Sequence, residues 1–276
     1  MSATVESTTM EKGEAEDLMA VLKVAAEHAG KAILAYYAEA EEIMVREKAD
    51  KSPVTEADLA SEDSILAFLA KLSPDLPVVS EEQAEAGKTP AVGERFWLVD
   101  PLDGTKEFLE RNGEFTVNIA LIESGRPVAG VVHAPALAMT WTGVLSGAGK
   151  AGGSGRALFS QTDQPAMDIH VREAPAEGIT VVASRRHGSG EQLEGLLADY
   201  CVKDRVSAGS SIKFCLVASG RADLYPRFGR TMEWDTAAGH AVLAAAGGRV
   251  ETLEGGPLTY GKPGFENPFF VAKGAV

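Results

Sequence analysis

Cysteine is nearly absent from this chain, with only Cys201 and Cys215 among 276 residues. They show neither a CxxC spacing nor a pairing signature, which excludes a disulfide-stapled secreted scaffold and fits a reducing compartment. Long hydrophobic runs are missing as well. No apolar stretch approaches the roughly 18 residues needed to cross a bilayer. The opening residues, MSATVESTTMEKGEAEDLM, lack the basic and apolar regions of a secretory signal. Positive charge is scarce: 26 Lys and Arg stand against 40 Asp and Glu, a formal net charge of −14. Such a balance argues against nonspecific nucleic-acid binding and against adhesion to an anionic membrane. The expectation is a cytoplasmic protein without a transmembrane segment, as monomer or homodimer. A peripheral association with the inner membrane stays open.

What remains is ordinary globular composition, 45% hydrophobic and 24% charged, enough to bury a full core in one large domain or two modest ones. Residues 1–13 read as a disordered N-terminus. Helical spacing of Leu18, Val21, Leu22, Ala25, Ile33, Leu34 and Tyr37 predicts a long amphipathic helix over 14–47, broken near Gly30. Residues 48–54 read as a loop, and Thr55 as the N-cap of a helix reaching about residue 71, with Asp58 in its first turn. Strands are predicted at 77–80 and 96–99, followed by a hairpin over 115–133 that turns at ESGR. Residues 145–166, rich in Gly and Ser, suggest a linker or loop between halves spanning 14–155 and 156–276. The second half alternates a strand (179–183), helices (190–198 and 211–219), a strand (222–225), a helix (235–246) and a strand (269–272). This mixture implies a layered α/β (α+β) sandwich. Trp97, Trp234, Phe115 and Phe214 sit in apolar runs and read as core, His240 as structural, and both cysteines as buried or inert.

Carboxylates collect where these elements end. The apolar segment FWLV runs into Asp100 and Asp103, three residues apart, then Gly104 and Thr105. Asp-Pro and Asp-Gly are common turn dipeptides. The same residues could hold divalent cations through hard oxygens, the Leu102 carbonyl included, while Gly104 and Thr105 present N–H groups to a phosphate. Glu81-Glu82 follow the strand PVVS, Asp58 lies near a helix start, and Asp235 opens the run TAAGHAVLAAAGG. Each has an ordinary reading as solvated loop, helix-end charge or N-cap. Together, at the element ends where α/β folds put ligands, they favour a metal site.

VVSEE, WLVDPLDGTKEF and EWDTAAGHAVLAAAGG resemble, in order and spacing, the signatures of the inositol monophosphatase superfamily of magnesium-dependent, lithium-sensitive phosphatases. KADKSPVTEAD, DPLDGTKEFLERNGEFTVNIALIESGRPVAGVVHAP and GSSIKFCLVASGRADLYPRFG are similar to its bacterial 3′(2′),5′-bisphosphate nucleotidases. The resemblance runs from about residue 15 to 272 and implies an αβαβα sandwich.

It further implies Glu81, Asp100, Asp103, Asp235 and the Leu102 carbonyl as ligands of two or three Mg²⁺ ions. Asp58 and Thr105 would orient and deprotonate the attacking water. Substrate contacts are implied at Gly104, Thr105, His187, Ser210, Lys213, Arg227 and Asp235. Gly209 and the N–H groups after it would form an anion cradle, although Ser210 also reads as a plain N-cap. Lys48 or Lys51 would face the phosphate. The implied reaction removes the 3′-phosphate of adenosine 3′,5′-bisphosphate, with activity on its sulfated precursor and a role in sulfate assimilation. An inositol monophosphatase or broad sugar-phosphate phosphatase is the alternative.

Overall fold

The computed structural model describes residues 12–43, 53–146, 155–162, 164–184 and 190–276. Seven strands form the first sheet in sequence order: β1 (Val78–Ser80), β2 (Arg95–Asp103), β3 (Thr116–Glu123), β4 (Arg126–Ala134), β5 (Met139–Leu145), β6 (Gly155–Gln161) and β7 (Met167–Asp168). Only β1 and β2 pair in parallel; the rest is an antiparallel meander. The second sheet contains β8 (Ile179–Ala183), β9 (Val202–Ser207), β10 (Leu224–Arg227), β11 (Arg249–Thr252) and β12 (Phe270–Lys273), in the order β11-β12-β10-β8-β9.

Helices α1 (Lys12–Ile43) and α2 (Pro53–Leu72) cover the outer face of the first sheet. Helices α6 (Ile212–Ala218) and α7 (Glu233–Ala245) lie between the sheets, and α5 (Glu191–Leu197) covers the outer face of the second. These are the five layers of an αβαβα sandwich. Strand alternation sorts the core: Phe96 and Leu98 of β2 face the central helices, while Trp97 and Val99 face α1 and α2.

The centre is set by small residues. Gly130, Gly143 and Gly155 lie on adjacent strands β4, β5 and β6 beneath α7. A Cβ on Gly130 would come within 2.8 Å of the Ala238 carbonyl, one on Gly143 within 2.7 Å of Val242 Cα, and one on Gly155 within 2.5 Å of Ala245 Cα. On the opposite side of α7, Gly239 admits the Phe214 ring, whose Cδ2 would stand 2.5 Å from an added Cβ. The alanine- and glycine-rich composition of α7 is therefore a packing requirement, and it fixes the helix that carries Asp235.

Several sequence expectations are corrected. Helix α1 passes through Gly30 without a break, because the missing side chain makes room for the His133 ring, 2.6 Å from a Cβ placed there. Helix α2 opens at Pro53 rather than after Thr55, since proline suits a first turn whose N–H groups have no partner. Asp58 thus stands in the second turn. Strands β5, β6, β7, β9 and β11 are additional to those expected, and β6 occupies residues 155–161 of the expected 145–166 linker. The polar edge strand β9 shows little apolar alternation to read. Cys215 is buried, but Cys201 is exposed. The hairpin is as expected, with Ser124 and Gly125 both at positive φ, as a two-residue primed turn requires. Expectations for residues 1–11 and 48–52 fall outside the described residues.

Substituting Gly143→Ala should cost about 1–3 kcal/mol, because rigid backbone meets the new methyl. Gly195→Ala, in exposed α5 with nothing within 4 Å, should gain about 0.5–1 kcal/mol from helix propensity. Urea unfolding midpoints moving in opposite directions would bear this out.

Candidate active site

A β-bulge aims the first pair of carboxylates. In a regular strand residues three apart face opposite sides, yet Asp100 pairs with Asn118 and Asp103 with Thr116, so four residues of β2 lie opposite three of β3. The extra residue returns Asp103 to the side of Asp100. Leu102 turns into the outer core instead, 1% exposed, and its N–H donates to Asp100 Oδ1 at 3.1 Å. The Ser61 hydroxyl of α2 donates to the Pro101 carbonyl at 2.8 Å, tying the bulge to the helix that carries Asp58. Gly104 follows with φ 98°, in the left-handed region, and begins α4 (Thr105–Leu109).

Around the bulge, carboxyl groups face one another. Asp58 and Glu82 are in carboxyl–carboxyl hydrogen-bond contact, as are Glu81 and Asp100. Glu81 and Glu82 open α3 (Glu81–Glu85). Burial, then repulsion from Glu82 and Glu81, pushes Asp58 up to about 9. Burial, then Asp235 and Asp103, pushes Glu81 up to about 8. Asp100, 1% exposed, is held well above the carboxylate range by burial and by Glu81, Asp103, Asp235 and Asp58. Asp58 Oδ1 and Glu62 Oε1 are buried without a protein partner. Carboxylates in contact at neutral pH require a shared proton or a cation.

Among the described residues, no three His, Cys, Asp or Glu side chains already form a ready metal shell. The donor set is nonetheless all oxygen, strongly negative and partly orphaned. It fits a hard divalent cation such as Mg²⁺, which retains several waters and takes few protein ligands.

The other wall comes from the second half of the chain. Asp235 is the third residue of α7, and its Oδ2 accepts the Met232 N–H at 2.8 Å. Burial, then Asp103, pushes it up to about 7. The link between the walls is polar: Asn118 Nδ2 donates to Ser211 Oγ at 3.1 Å and lies 3.5 Å from Asp103 Oδ2, while Ser211 Oγ donates to the Asp235 carbonyl at 2.8 Å. Lys213 is 5% exposed, and burial lowers it to about 8 against the pull of Asp103. The Arg227 Nη2 donates to the Arg230 carbonyl at 3.2 Å, while its Nε is buried without a protein acceptor. Asp103, Gly104, Ser210, Lys213, Arg227 and Asp235 border one cleft of about 170 Å³.

The structure thus brings together most of the residues singled out by sequence, with corrections. No hydrogen bond joins Asp58 to Thr105 among the described residues; Thr105 is exposed on α4, which packs beside α2. Ser211, not Ser210, stands at the N-cap position of α6, and it makes no side-chain cap bond there. Ser210 has φ 40° and its hydroxyl donates to the Glu114 carbonyl at 2.8 Å. The Gly209 N–H, expected to cradle an anion, donates to Glu114 Oε2 at 2.6 Å. Asp235 supports the helix start from its third position instead of capping it. His187, Lys48 and Lys51 lie outside the described residues. Trp97, Trp234, Phe115 and Phe214 are buried core, and His240 bonds the Tyr260 hydroxyl through Nδ1 at 2.9 Å. Sequence reasoning missed Glu62, Asn118 and Ser211. An amide alone in the apolar run TVNIAL, and a carboxylate one turn after Asp58, were the signals available.

A model of the inositol monophosphatase family matches residues 14–268, and the chain belongs to that family. Among curated relatives, the 3′(2′),5′-bisphosphate nucleotidase CysQ of Escherichia coli O157:H7 is 48% identical over 246 residues, 89% of this chain and 95% of the relative. CysQ of Haemophilus influenzae is 32% identical over 94% of this chain and 93% of its own. The crystal structure of CysQ from Bacteroides thetaiotaomicron superposes with a TM-score of 0.74 at 35% identity, covering 94% of this chain and 98% of that one.

The carboxylate cluster predicts a pH signature. Unfolded carboxyls ionise near 4 (about), whereas Asp235, Glu81 and Asp58 keep their protons to about 7, 8 and 9. Below the unfolded pKa both states are protonated and no penalty exists. As pH rises through this window the folded state holds more protons, so stability of the metal-free protein falls. Thermal melts should show Tm declining toward pH 9, with millimolar Mg²⁺ restoring it most at the alkaline end. A Tm that is flat with pH and unmoved by Mg²⁺ would remove the cluster as a cation site.

Proposed function

We propose that this chain is a Mg²⁺-dependent 3′(2′),5′-bisphosphate nucleotidase. It hydrolyses the 3′-phosphate of adenosine 3′,5′-bisphosphate to give AMP and phosphate, and accepts 3′-phosphoadenylyl sulfate in the same site. Its role is then recycling of the bisphosphate in cytoplasmic sulfate assimilation. The observation that carries this reading is the meeting, in one cleft, of Asp103 and Asp235 with the cations Lys213 and Arg227. One pole suits the phosphoryl group being transferred. The other, where Arg227 Nε is buried without an acceptor, suits a second phosphate. Identity of 47–48% over 89% of the chain to curated nucleotidases supports the same substrate.

Glu81, Asp100, Asp103, Asp235 and the Leu102 carbonyl would hold two or three Mg²⁺ ions. When bound, these supply an acidified water and neutralise charge on the phosphoryl and leaving oxygens. Asp58, ionised once cations offset the neighbouring carboxylates, would accept a proton from the attacking water, and the Thr105 hydroxyl would orient that water. Attack is in line: the new P–O bond forms as the bond to the 3′-oxygen breaks, and that oxygen takes up a proton from solvent, with no phosphoenzyme. Gly104 and Thr105 direct N–H groups toward the phosphoryl group. Ser210, Lys213, Arg227 and His187 bind the remainder of the nucleotide.

Phosphate release across a substrate panel tests the reading. With Mg²⁺, kcat/KM should be highest for the nucleotide bisphosphate and activity should fall with lithium. Faster turnover of inositol 1-phosphate would instead establish the sugar-phosphate alternative. Asp103→Asn should lower kcat on the order of a thousandfold. Lys213→Ala should raise nucleotide KM about tenfold or more, the loss expected for a hydrogen bond to a charged group.

A further inference from the structure

The segment carrying Ser210 and Lys213 is held from both sides. On its inner side, Lys213 Nζ donates to the Ser210 carbonyl at 2.6 Å and to the Ala208 carbonyl at 3.3 Å. On its outer side, Glu114 accepts twice: its carboxylate takes the Gly209 N–H at 2.6 Å and its carbonyl takes the Ser210 hydroxyl at 2.8 Å. The left-handed φ of 40° at Ser210 makes this two-sided arrangement fit, at a backbone cost tolerated only where surroundings over-determine it. Gly209 has no alternative either, since a Cβ there would meet Glu107 Cγ at 2.6 Å and the Glu114 carbonyl at 2.7 Å.

Glu114 is itself anchored. Its N–H donates to Asn112 Oδ1 at 2.9 Å. The next residue, Phe115, is fully buried against Tyr37 and Phe108, with ring centroids 4.9 and 5.3 Å away. The rigid end of the α4–β3 connection therefore grips the loop from the other half of the chain.

We infer that Glu114 is a positioning residue for substrate binding: it clamps residues 208–210 so that their carbonyls aim the Lys213 ammonium into the cleft. A carboxylate suits this task because two oxygens and a full charge grip a backbone N–H more tightly than a neutral acceptor does. Glu114 acts through Lys213 and Ser210 and touches no reacting atom. Its effect belongs to the cation of the second phosphate pole, which borders the same cleft as Asp103 and Asp235. The inference rests on the assignment of Lys213 to the nucleotide.

The test uses the full chain with Glu114→Ala and Glu114→Gln, assayed with Mg²⁺ on adenosine 3′,5′-bisphosphate and on p-nitrophenyl phosphate, a monoester with no second phosphate. Glu114→Ala should raise KM for the bisphosphate about tenfold with kcat within about threefold, leaving kcat/KM for the small ester within about threefold. Glu114→Gln, which still offers an oxygen to Gly209, should recover most of the KM. An equal loss on both substrates, or no loss on either, would overturn the assignment. Hydrogen exchange of residues 207–213 reads the clamp independently of substrate: faster in Glu114→Ala, near wild type in Glu114→Gln. Unchanged exchange in Glu114→Ala overturns the clamp even if the wild type prefers the bisphosphate. A wild type that ignores the bisphosphate defeats the proposed substrate instead, and the exchange result still decides the clamp.

Discussion

Repulsion among Asp58, Glu81, Glu82, Asp100, Asp103 and Asp235 is the constraint to which the surrounding structure answers. Like charges gathered out of water are among the most expensive arrangements a fold can hold, and here they come from four separate elements. Local propensity would not place them together. The β2 bulge turns Asp103 back toward Asp100, Ser61 ties that bulge to α2, and the Asn118–Ser211 link joins the first wall to α7. Each device opposes a force that would separate the carboxylates. A protein of net charge −14 has no reason to carry such a cluster for stability alone.

Opposite this cluster sits a much smaller set of cations. Lys213 is buried and held by two carbonyls, and Arg227 keeps one nitrogen without an acceptor. Placing fixed positive groups beside a negative patch divides the cleft into poles of opposite sign. A substrate with two phosphates would meet each pole differently: one phosphate through cations recruited from solution, the other through cations of the chain. Binding and chemistry are thereby separable in sequence. The carboxylates come mainly from the first half of the chain, and Ser210, Lys213 and Arg227 from the second.

Much of this was legible in the sequence because the relevant signals are local. Alternation in FWLV and in the 115–133 hairpin sorts side chains between two cores, as observed for Phe96, Trp97, Leu98 and Val99. Carboxylates at element ends are visible as composition. Three kinds of feature were not legible. Gly30 reads as a helix break because propensity cannot see the His133 ring packed against it. Strands β9 and β11 carry too little apolar alternation to stand out from loops. The fate of the Gly209 N–H depends on Glu114, ninety-five positions earlier in the chain, and no periodicity reports that distance. The same holds for the bulge, which alters facing by one residue without altering composition.

The glycine floor beneath α7 also bears on how this site can change over time. With Gly130, Gly143 and Gly155 flush against its backbone and Gly239 against Phe214, the helix cannot shift, swell or rotate without a coordinated set of replacements. Drift at these positions is therefore closed to single steps. Exposed positions of the loops that reach the cleft, such as Glu110 and Arg230, carry no such restriction, unlike Gly104 and Gly209. A lineage exploring new phosphate esters would vary those loops around a helix it could not move, and the position of Asp235 would outlast the identity of the substrate.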